Sequence, residues 1–381
     1  MVISGNEALS LGAFAGGCRF VAAYPMTPAT SIFQWFVNHA EKYPIVARQA
    51  EDEIAAACLA IGAAHAGARV LVPTSGGGFS LMVEAVGLAG MSETPLVIVV
   101  AQRPGPATGL STRTEQPDLL FTINASQGDF PKIVLAPGTP EQCFEAGWRA
   151  MNLADKYQTP VFILTDAFLA SSQRTLDPEK LELNAVKIDR GRLLTATELD
   201  TFTGTYRRYQ LTASGISPRV LPGHPNAIFQ ATSNEHNESG HICETAGNRE
   251  AMNQKRMHKL NLALEEMRPP ILHGPTAAEI TFVCWGSTLA PLQEAVTRLN
   301  IQKPDSANIL QFTDLWPFPA AEATLFLESA RKLIAVEGNT TGQLARLIRA
   351  ETGIAMFAKI LKFDGRPFSP EFILEKLKEA R

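Results

Sequence analysis

The sequence predicts an α/β protein: a mainly parallel sheet covered by helices on both faces, followed by a smaller α/β domain. Three observations carry this expectation. Over residues 1–190, short apolar runs such as Pro95–Ala101 and Pro160–Leu164 alternate with segments of helical spacing. Those runs are continuously apolar, as strands buried on both faces are, and that is the condition of a parallel sheet. The alternation lapses over residues 191–270 and resumes at Glu279, which marks a second, smaller unit.

In order, Asn6–Ala15 reads as a helix, Arg19–Ala23 as a strand, Thr30–His39 as a helix and Ile45–Arg48 as a strand. An alanine-rich run from Glu53 to Gly67 reads as a buried helix, since Ile54, Ala57, Cys58, Ile61 and Ala64 fall near helical spacing. A strand at Arg69–Pro73, a helix at Phe79–Met91 and the strand at Pro95–Ala101 follow, then a strand at Lys132–Leu135, a helix at Pro140–Asp155 and a strand at Pro160–Leu164. Residues 191–270 carry turn formers, a polar block at 233–241 and a basic helix-like piece, Arg249–Lys259. A connection this long is expected to be a functional loop or an arm laid across a partner. Residues 271–381 supply strands at Ile280–Trp285, Asn308–Phe312 and Lys332–Glu337, with helices at Ser287–Leu299, Gly342–Glu351 and Pro370–Lys378.

Composition narrows the function. The chain of 381 residues is 45% hydrophobic and 19% charged with a net charge of −4, ordinary for a soluble globular protein, and no basic stripe suggests nucleic acid or a membrane as partner. Five cysteines stand far apart with no CxxC, so neither an iron–sulfur cluster nor a structural zinc is expected in this chain, and a reducing cytoplasm is the expected location. Leu9–Cys18 is apolar but short and lacks a positive flank, so it reads as part of the first helix rather than as a leader.

Four stretches carry candidate chemistry. Glu51-Asp52-Glu53 open the alanine-rich helix. One acid there is explained by the helix dipole and free N–H groups; three suggest that at least one turns toward something other than water. Thr74-Ser75-Gly76-Gly77-Gly78-Phe79 follows a strand and opens a helix, where backbone N–H groups can face an anion or a flat ring, although it lacks the lysine of a P-loop. Arg103 follows an apolar strand at the end where ligands of open parallel sheets gather, with Arg113 a second candidate for gripping a carboxylate. Thr27, between Pro25 and Pro28, offers a hydroxyl from a rigid loop or caps the next helix. His65, set among alanines, reads as a core residue.

Taken in order, several pieces resemble the alpha subunit of 2-oxoacid:ferredoxin oxidoreductases, in particular the 2-oxoglutarate type. They are Gly5-Asn6-Glu7-Ala8, Tyr24-Pro25-Met26-Thr27-Pro28, Gln49–Ala56, Thr74–Met82, and Gln102–Gly109 leading to Gln116 and Asp118. Glu235-His236, Lys255-Arg256, Trp316-Pro317-Phe318-Pro319, Val336–Asn339 and Asp364–Phe368 continue the pattern, so the resemblance runs nearly end to end.

The resemblance implies a pyrimidine-type thiamine-diphosphate-binding domain at 1–190, an extended arm at 191–270 and a transketolase C-terminal-like domain at 271–381. No Gly-Asp-Gly occurs, so a beta subunit is expected to bring the diphosphate and Mg²⁺ site together with an iron–sulfur cluster. Thiamine enzymes share a glutamate that hydrogen-bonds N1′ of the aminopyrimidine, often nine residues before a glycine; Glu53 and Gly62 meet that spacing, with Glu51 the fallback. By the same resemblance Ser75, Gly76 and Phe79 border the cofactor, while Thr27 and Arg103 contact the 2-oxo acid. The implied reaction is oxidative decarboxylation of a 2-oxo acid to acyl-coenzyme A and CO₂, with electrons passing to ferredoxin. Many relatives carry a gamma domain ahead of the residues that begin here, so a gamma subunit or domain is expected to handle coenzyme A. Pyruvate or branched-chain 2-oxo acids are alternative substrates, and a beta-type subunit of a 2-oxoacid dehydrogenase complex, passing its acyl group to lipoamide, is the alternative class.

Overall fold

Apolar strands pair in parallel when each is separated from the next by a helix long enough to cross back over the sheet. In the computed structural model, which describes residues 1–379, the first half of the chain does this. Seven strands lie in the order Asp314–Trp316, Ile133–Leu135, Pro160–Asp166, Leu96–Gln102, Arg69–Thr74, Cys18–Ala23 and Val46–Gln49. Every pairing is parallel except that of the edge strand Asp314–Trp316 with Ile133–Leu135.

Arg69–Thr74, Leu96–Gln102 and Pro160–Asp166 are buried at every residue. Helices Glu53–His65 and Gly76–Met91 pack on one face of the sheet, and Gly5–Ala15, Thr30–His39 and Pro140–Tyr157 on the other. Each fully buried Val, Ile or Leu of these strands contributes about 1.5–3 kcal/mol relative to exposure. A second sheet, ordered Ala358–Leu361, Leu333–Glu337, Ile280–Trp285, Ala307–Phe312 and Ile271–His273, is parallel apart from its last strand. The expected α/β class, with a smaller α/β unit following the first, is the class observed. The last two residues of the expected 271–381 domain lie outside the described residues.

Three departures bear on function. Asp314–Trp316, expected in the second unit, joins the first sheet, so the two units share backbone hydrogen bonds. The helix expected from Phe79 begins at Gly76, with Ser75 as its extended N-cap. Three glycines in a first turn oppose helix propensity by about 1 kcal/mol each, and tertiary packing overrides them. The run from Glu53, expected to be wholly buried, leaves one apolar face open, with Ile54 50% and Leu59 43% exposed and Cys58 between them. A helix apolar all round still has only one side to lay on a sheet.

The arm folds back over the first unit. Asp155 accepts from Arg69 at 2.8 Å, Arg190 at 2.9 Å and Arg219 at 2.6 Å. Glu93 is held by Lys255 at 2.6 Å and by Lys259, both on the helix Ala246–Leu264. The basic piece at Arg249–Lys259 is therefore an internal fastener on its buried side.

Candidate active site

Ligands of open parallel sheets collect at the carboxyl ends of the strands, where loops diverge. Four adjacent strands end there side by side. Cys18–Ala23 leads to the Thr27 loop, Val46–Gln49 to Glu53, Arg69–Thr74 to Ser75 and Gly76, and Leu96–Gln102 to Arg103. Topology thus brings together residues that lie as far apart in sequence as Thr27 and Arg103.

Among the three consecutive acids, burial separates the roles. Asp52 is exposed and caps the helix, its Oδ1 accepting from Ala55 N at 2.7 Å, and Glu51 is exposed too. Glu53 is only 4% exposed. The first turn of Gly76–Met91 lies against it: a Cβ on Gly78 would come within 2.8 Å of Glu53 Oε1 and would also collide with Thr74 Oγ1. Glycine at position 78 is what lets that turn approach the carboxylate.

Arg103 Nη1 donates to the Thr27 carbonyl at 2.8 Å, which joins the two loops. Among the described residues the remaining guanidinium donors have no hydrogen-bond partner, and Thr27 is exposed beside them. Ser75 is fully buried and its Oγ has no hydrogen-bond partner. Phe79 is placed differently from its neighbours: it is fully buried, edge-on to Phe121 and Phe162 with centroids 5.1 and 5.4 Å away, so its ring belongs to the core. Arg113 stands apart from Arg103, exposed against Gly365 in the loop after Ala358–Leu361. His65 tilts against Phe229 at 5.6 Å, and burial lowers its pKa.

Two acids beside the site receive no role from the sequence, although Asp118 stands in the family pattern. Asp118 Oδ2 is buried without a partner, and a Cβ on Gly76 would lie 2.5 Å from it. Burial, then the charge of Glu115, pushes the Asp118 carboxyl up to about 7. Glu115 is raised to about 7 by burial and by Asp364. Their signal was two acids flanking Gln116-Pro117 just beyond a strand end, but their environment comes from the second unit. Gln116 Nε2 donates to Trp285 O at 2.9 Å, its Oε1 accepts from Gly338 N at 2.8 Å, and Gln343 Nε2 donates to Pro117 O at 2.6 Å. The second unit thus braces the segment that carries Asp118.

Among the described residues no cluster of three or more His, Cys, Asp or Glu side chains could hold a metal ion, and no helix is long and apolar enough to cross a membrane.

A family profile described as pyruvate flavodoxin/ferredoxin oxidoreductase, thiamine diP-bdg, matches residues 11–255. The chain is 41% identical over 394 residues to the 2-oxoacid:ferredoxin oxidoreductase 1, subunit alpha, of Sulfurisphaera tokodaii, covering 99% of this chain and 60% of that protein. It is 33% identical over 382 residues to the 2-oxoglutarate synthase subunit KorA of Methanothermobacter marburgensis, covering 98% of this chain and 97% of KorA. Among solved structures, the 2-oxoglutarate:ferredoxin oxidoreductase of Magnetococcus marinus, with 2-oxoglutarate, coenzyme A and succinyl-CoA bound, superposes with a TM-score of 0.92 at 38% identity, over 100% of this chain and 65% of that one. A split-gene transketolase, at 12% identity and a TM-score of 0.55, over 99% of this chain and 98% of that one, shares the fold. The chain thus spans about 60% of the length of the Sulfurisphaera relative. By the family profile and by identity over nearly its whole length, this chain belongs to the family of 2-oxoacid:ferredoxin oxidoreductase alpha subunits.

Proposed function

We propose that the chain is the alpha subunit of a thiamine-diphosphate-dependent 2-oxoacid:ferredoxin oxidoreductase. It takes 2-oxoglutarate, with coenzyme A, to succinyl-CoA and CO₂ and sends the electrons to ferredoxin. The observation that carries this reading is the burial of Glu53 alone among the three acids, against a glycine turn, one loop away from the joined Thr27 and Arg103.

The residues fit an aminopyrimidine ring. A flat ring with nitrogen donors and acceptors needs buried polar atoms that the protein leaves free, and Ser75 Oγ, next to Gly76 in the chain, and Asp118 Oδ2, which faces Gly76 from another loop, are such atoms. Bound thiamine diphosphate supplies the carbon nucleophile and electron sink for decarboxylation. Glu53 holds the proton at the ring nitrogen N1′, Ser75 and Gly76 border the ring, and Phe79 supports that turn from the core. Arg103 spends one N–H on Thr27 O and grips a substrate carboxylate with the others, while Thr27 Oγ1 orients the oxo group. A grip built for one carboxylate serves any 2-oxo acid; 2-oxoglutarate is favoured by the names of KorA and of the Magnetococcus protein.

The open apolar face of Glu53–His65, with Leu81 52% exposed on the neighbouring helix Gly76–Met91, is where we place a beta subunit. That subunit brings the diphosphate and Mg²⁺ half and the iron–sulfur cluster, a gamma subunit or domain handles coenzyme A, and the assembly works in the cytoplasm. Co-expression with its partners and assay of ferredoxin reduction tests the whole reading. The expected result is reduction that needs coenzyme A and is fastest with 2-oxoglutarate, against pyruvate and branched-chain 2-oxo acids, and none from the single chain. An assembled complex that passes acyl groups to lipoamide and leaves ferredoxin oxidised would overturn it.

A further inference from the structure

We infer that Asn6 is a positioning residue for the Thr27–Arg103 pair and thereby sets the hold on the 2-oxo acid. This rests on the reading of Thr27 and Arg103 as the pair that meets the substrate. Asn6 sits in the first turn of the helix Gly5–Ala15, whose backbone is fixed by a capping box between Ser4 and Glu7. Its side chain is fully buried. From there Nδ2 donates to Pro28 O at 2.9 Å and to Ser31 Oγ at 2.8 Å.

Two consecutive carbonyls are therefore tethered by side chains from two other elements, Thr27 O by Arg103 and Pro28 O by Asn6. Arg103 takes its position from Thr27 O, and Thr27 takes its position from the tether on Pro28. Release of Pro28 lets the Thr27 carbonyl drift, and the guanidinium drifts with it. The amide orientation is fixed by chemistry, because turning Oδ1 toward Pro28 would set two acceptors against each other.

The other end of the amide shows that the position is not kept for packing alone. Asn6 Oδ1 is buried and has no hydrogen-bond partner. A buried acceptor left unmatched is costly, and a residue lacking that oxygen would avoid the cost. What such a residue cannot do is direct an amide N–H at the Pro28 carbonyl from a fixed helix turn.

The test uses the assembled complex and steady-state kinetics in the 2-oxo acid. Asn6→Ala is expected to raise KM for the 2-oxo acid roughly fivefold to tenfold, the scale of one lost hydrogen bond, with a much smaller change in kcat and none in KM for coenzyme A. Arg103→Ala is expected to raise the same KM more, and the double variant Asn6→Ala/Arg103→Ala clearly less than the product of the two single effects, because Asn6 acts largely through Arg103. Effects that multiply in the double variant overturn the proposal. So does an Asn6→Ala complex whose thermal midpoint falls while KM stays put, as a merely structural role would give. Should Asn6→Ala fail to assemble, Asn6→Ser keeps a single donor and is expected to raise KM about twofold to fourfold, and an unchanged value overturns the proposal. If Arg103→Ala itself leaves KM unchanged, the substrate reading falls and the role of Asn6 with it. If Arg103→Ala raises KM and Asn6→Ala does not, only the role of Asn6 falls.

Discussion

Two of the places where the chain buries carboxylates treat them in opposite ways. Under the arm, Asp155 carries three guanidinium groups and Glu93 two ammonium groups. At the carboxyl ends of the sheet, Glu53 is buried against a glycine turn and Asp118 Oδ2 has no partner. Burial by itself disfavours the charged form of a carboxyl. At Glu93 the charges of Lys255 and Lys259 outweigh burial and hold the carboxyl well below its ordinary value, whereas at Asp118 no cation opposes burial and the carboxyl rises to about 7. The difference separates fasteners from a site: an interior acid saturated by the chain's own cations ties segments together, and one left unsaturated is free for a molecule from outside.

The largest effect expected from that contrast is on turnover. Glu53→Gln keeps the shape and removes only the ability to exchange a proton. Loss of a positioned acid–base group lowers kcat of the assembled complex by roughly 10²–10⁴-fold. Unfolding free energy should move by less than about 1 kcal/mol, because no fastener is touched. Full turnover in this variant would shift the role to Glu51 or remove it from the chain.

The converse substitution is Glu93→Gln. It strands two buried ammonium groups, and breaking one side of a buried ion pair costs about 3–5 kcal/mol. Denaturant unfolding should show that loss, and proteolysis should find residues 191–270 first, since Glu93 is where Lys255 and Lys259 anchor that segment. A stability within 1 kcal/mol of the parent would mean that the arm is held by its apolar contacts around Tyr206 and Val220 instead.

How much of this could be read beforehand depends on how local each cause is. Strand and helix order was legible because apolar period is local, and Thr30–His39 falls where the sequence places it. The acids at 51–53 were visible as an anomaly for the same reason. Asp314–Trp316 was not legible, because three residues carry no period and their pairing is decided by a strand some 180 positions earlier. The helix start at Gly76 was hidden by glycine propensity, which the approach to Glu53 and Asp118 overrides. Phe79 adjoins the glycine turn in sequence, yet the helical turn rotates its ring into the core between Phe121 and Phe162. The basic arm looked like a surface feature because its counter-charge lies 162 residues away from Lys255. The freedom of Asp118 was least legible of all, since the lack of a partner is a property of the whole fold.

The finest test of the contrast is therefore Asp118 itself, through pH. Its carboxyl is raised from an ordinary 3.8 to about 7, so between those values the folded chain binds more protons than the unfolded one. Stability then falls as pH rises through this window, and above pH 7 the buried charge carries its full cost. Asp118→Asn removes that charge and keeps the shape. It should stabilise the chain by on the order of 1–3 kcal/mol above pH 7, and the gain should fade as pH drops toward 4. Glu93 sets the opposite slope: its carboxyl is depressed, so its contribution is complete above its ordinary 4.5 and is lost only as pH falls further. Unfolding curves of parent and Asp118→Asn from pH 4 to 8 read the Asp118 slope, and the Glu93 slope lies below that range. A gain from Asp118→Asn that is flat across this range would mean that Asp118 is charged in the fold at all of these values and that its carboxyl is not raised. A loss at pH 8 would mean that its carboxylate has a partner after all, and the line between fastener and site would have to be redrawn through residue 118.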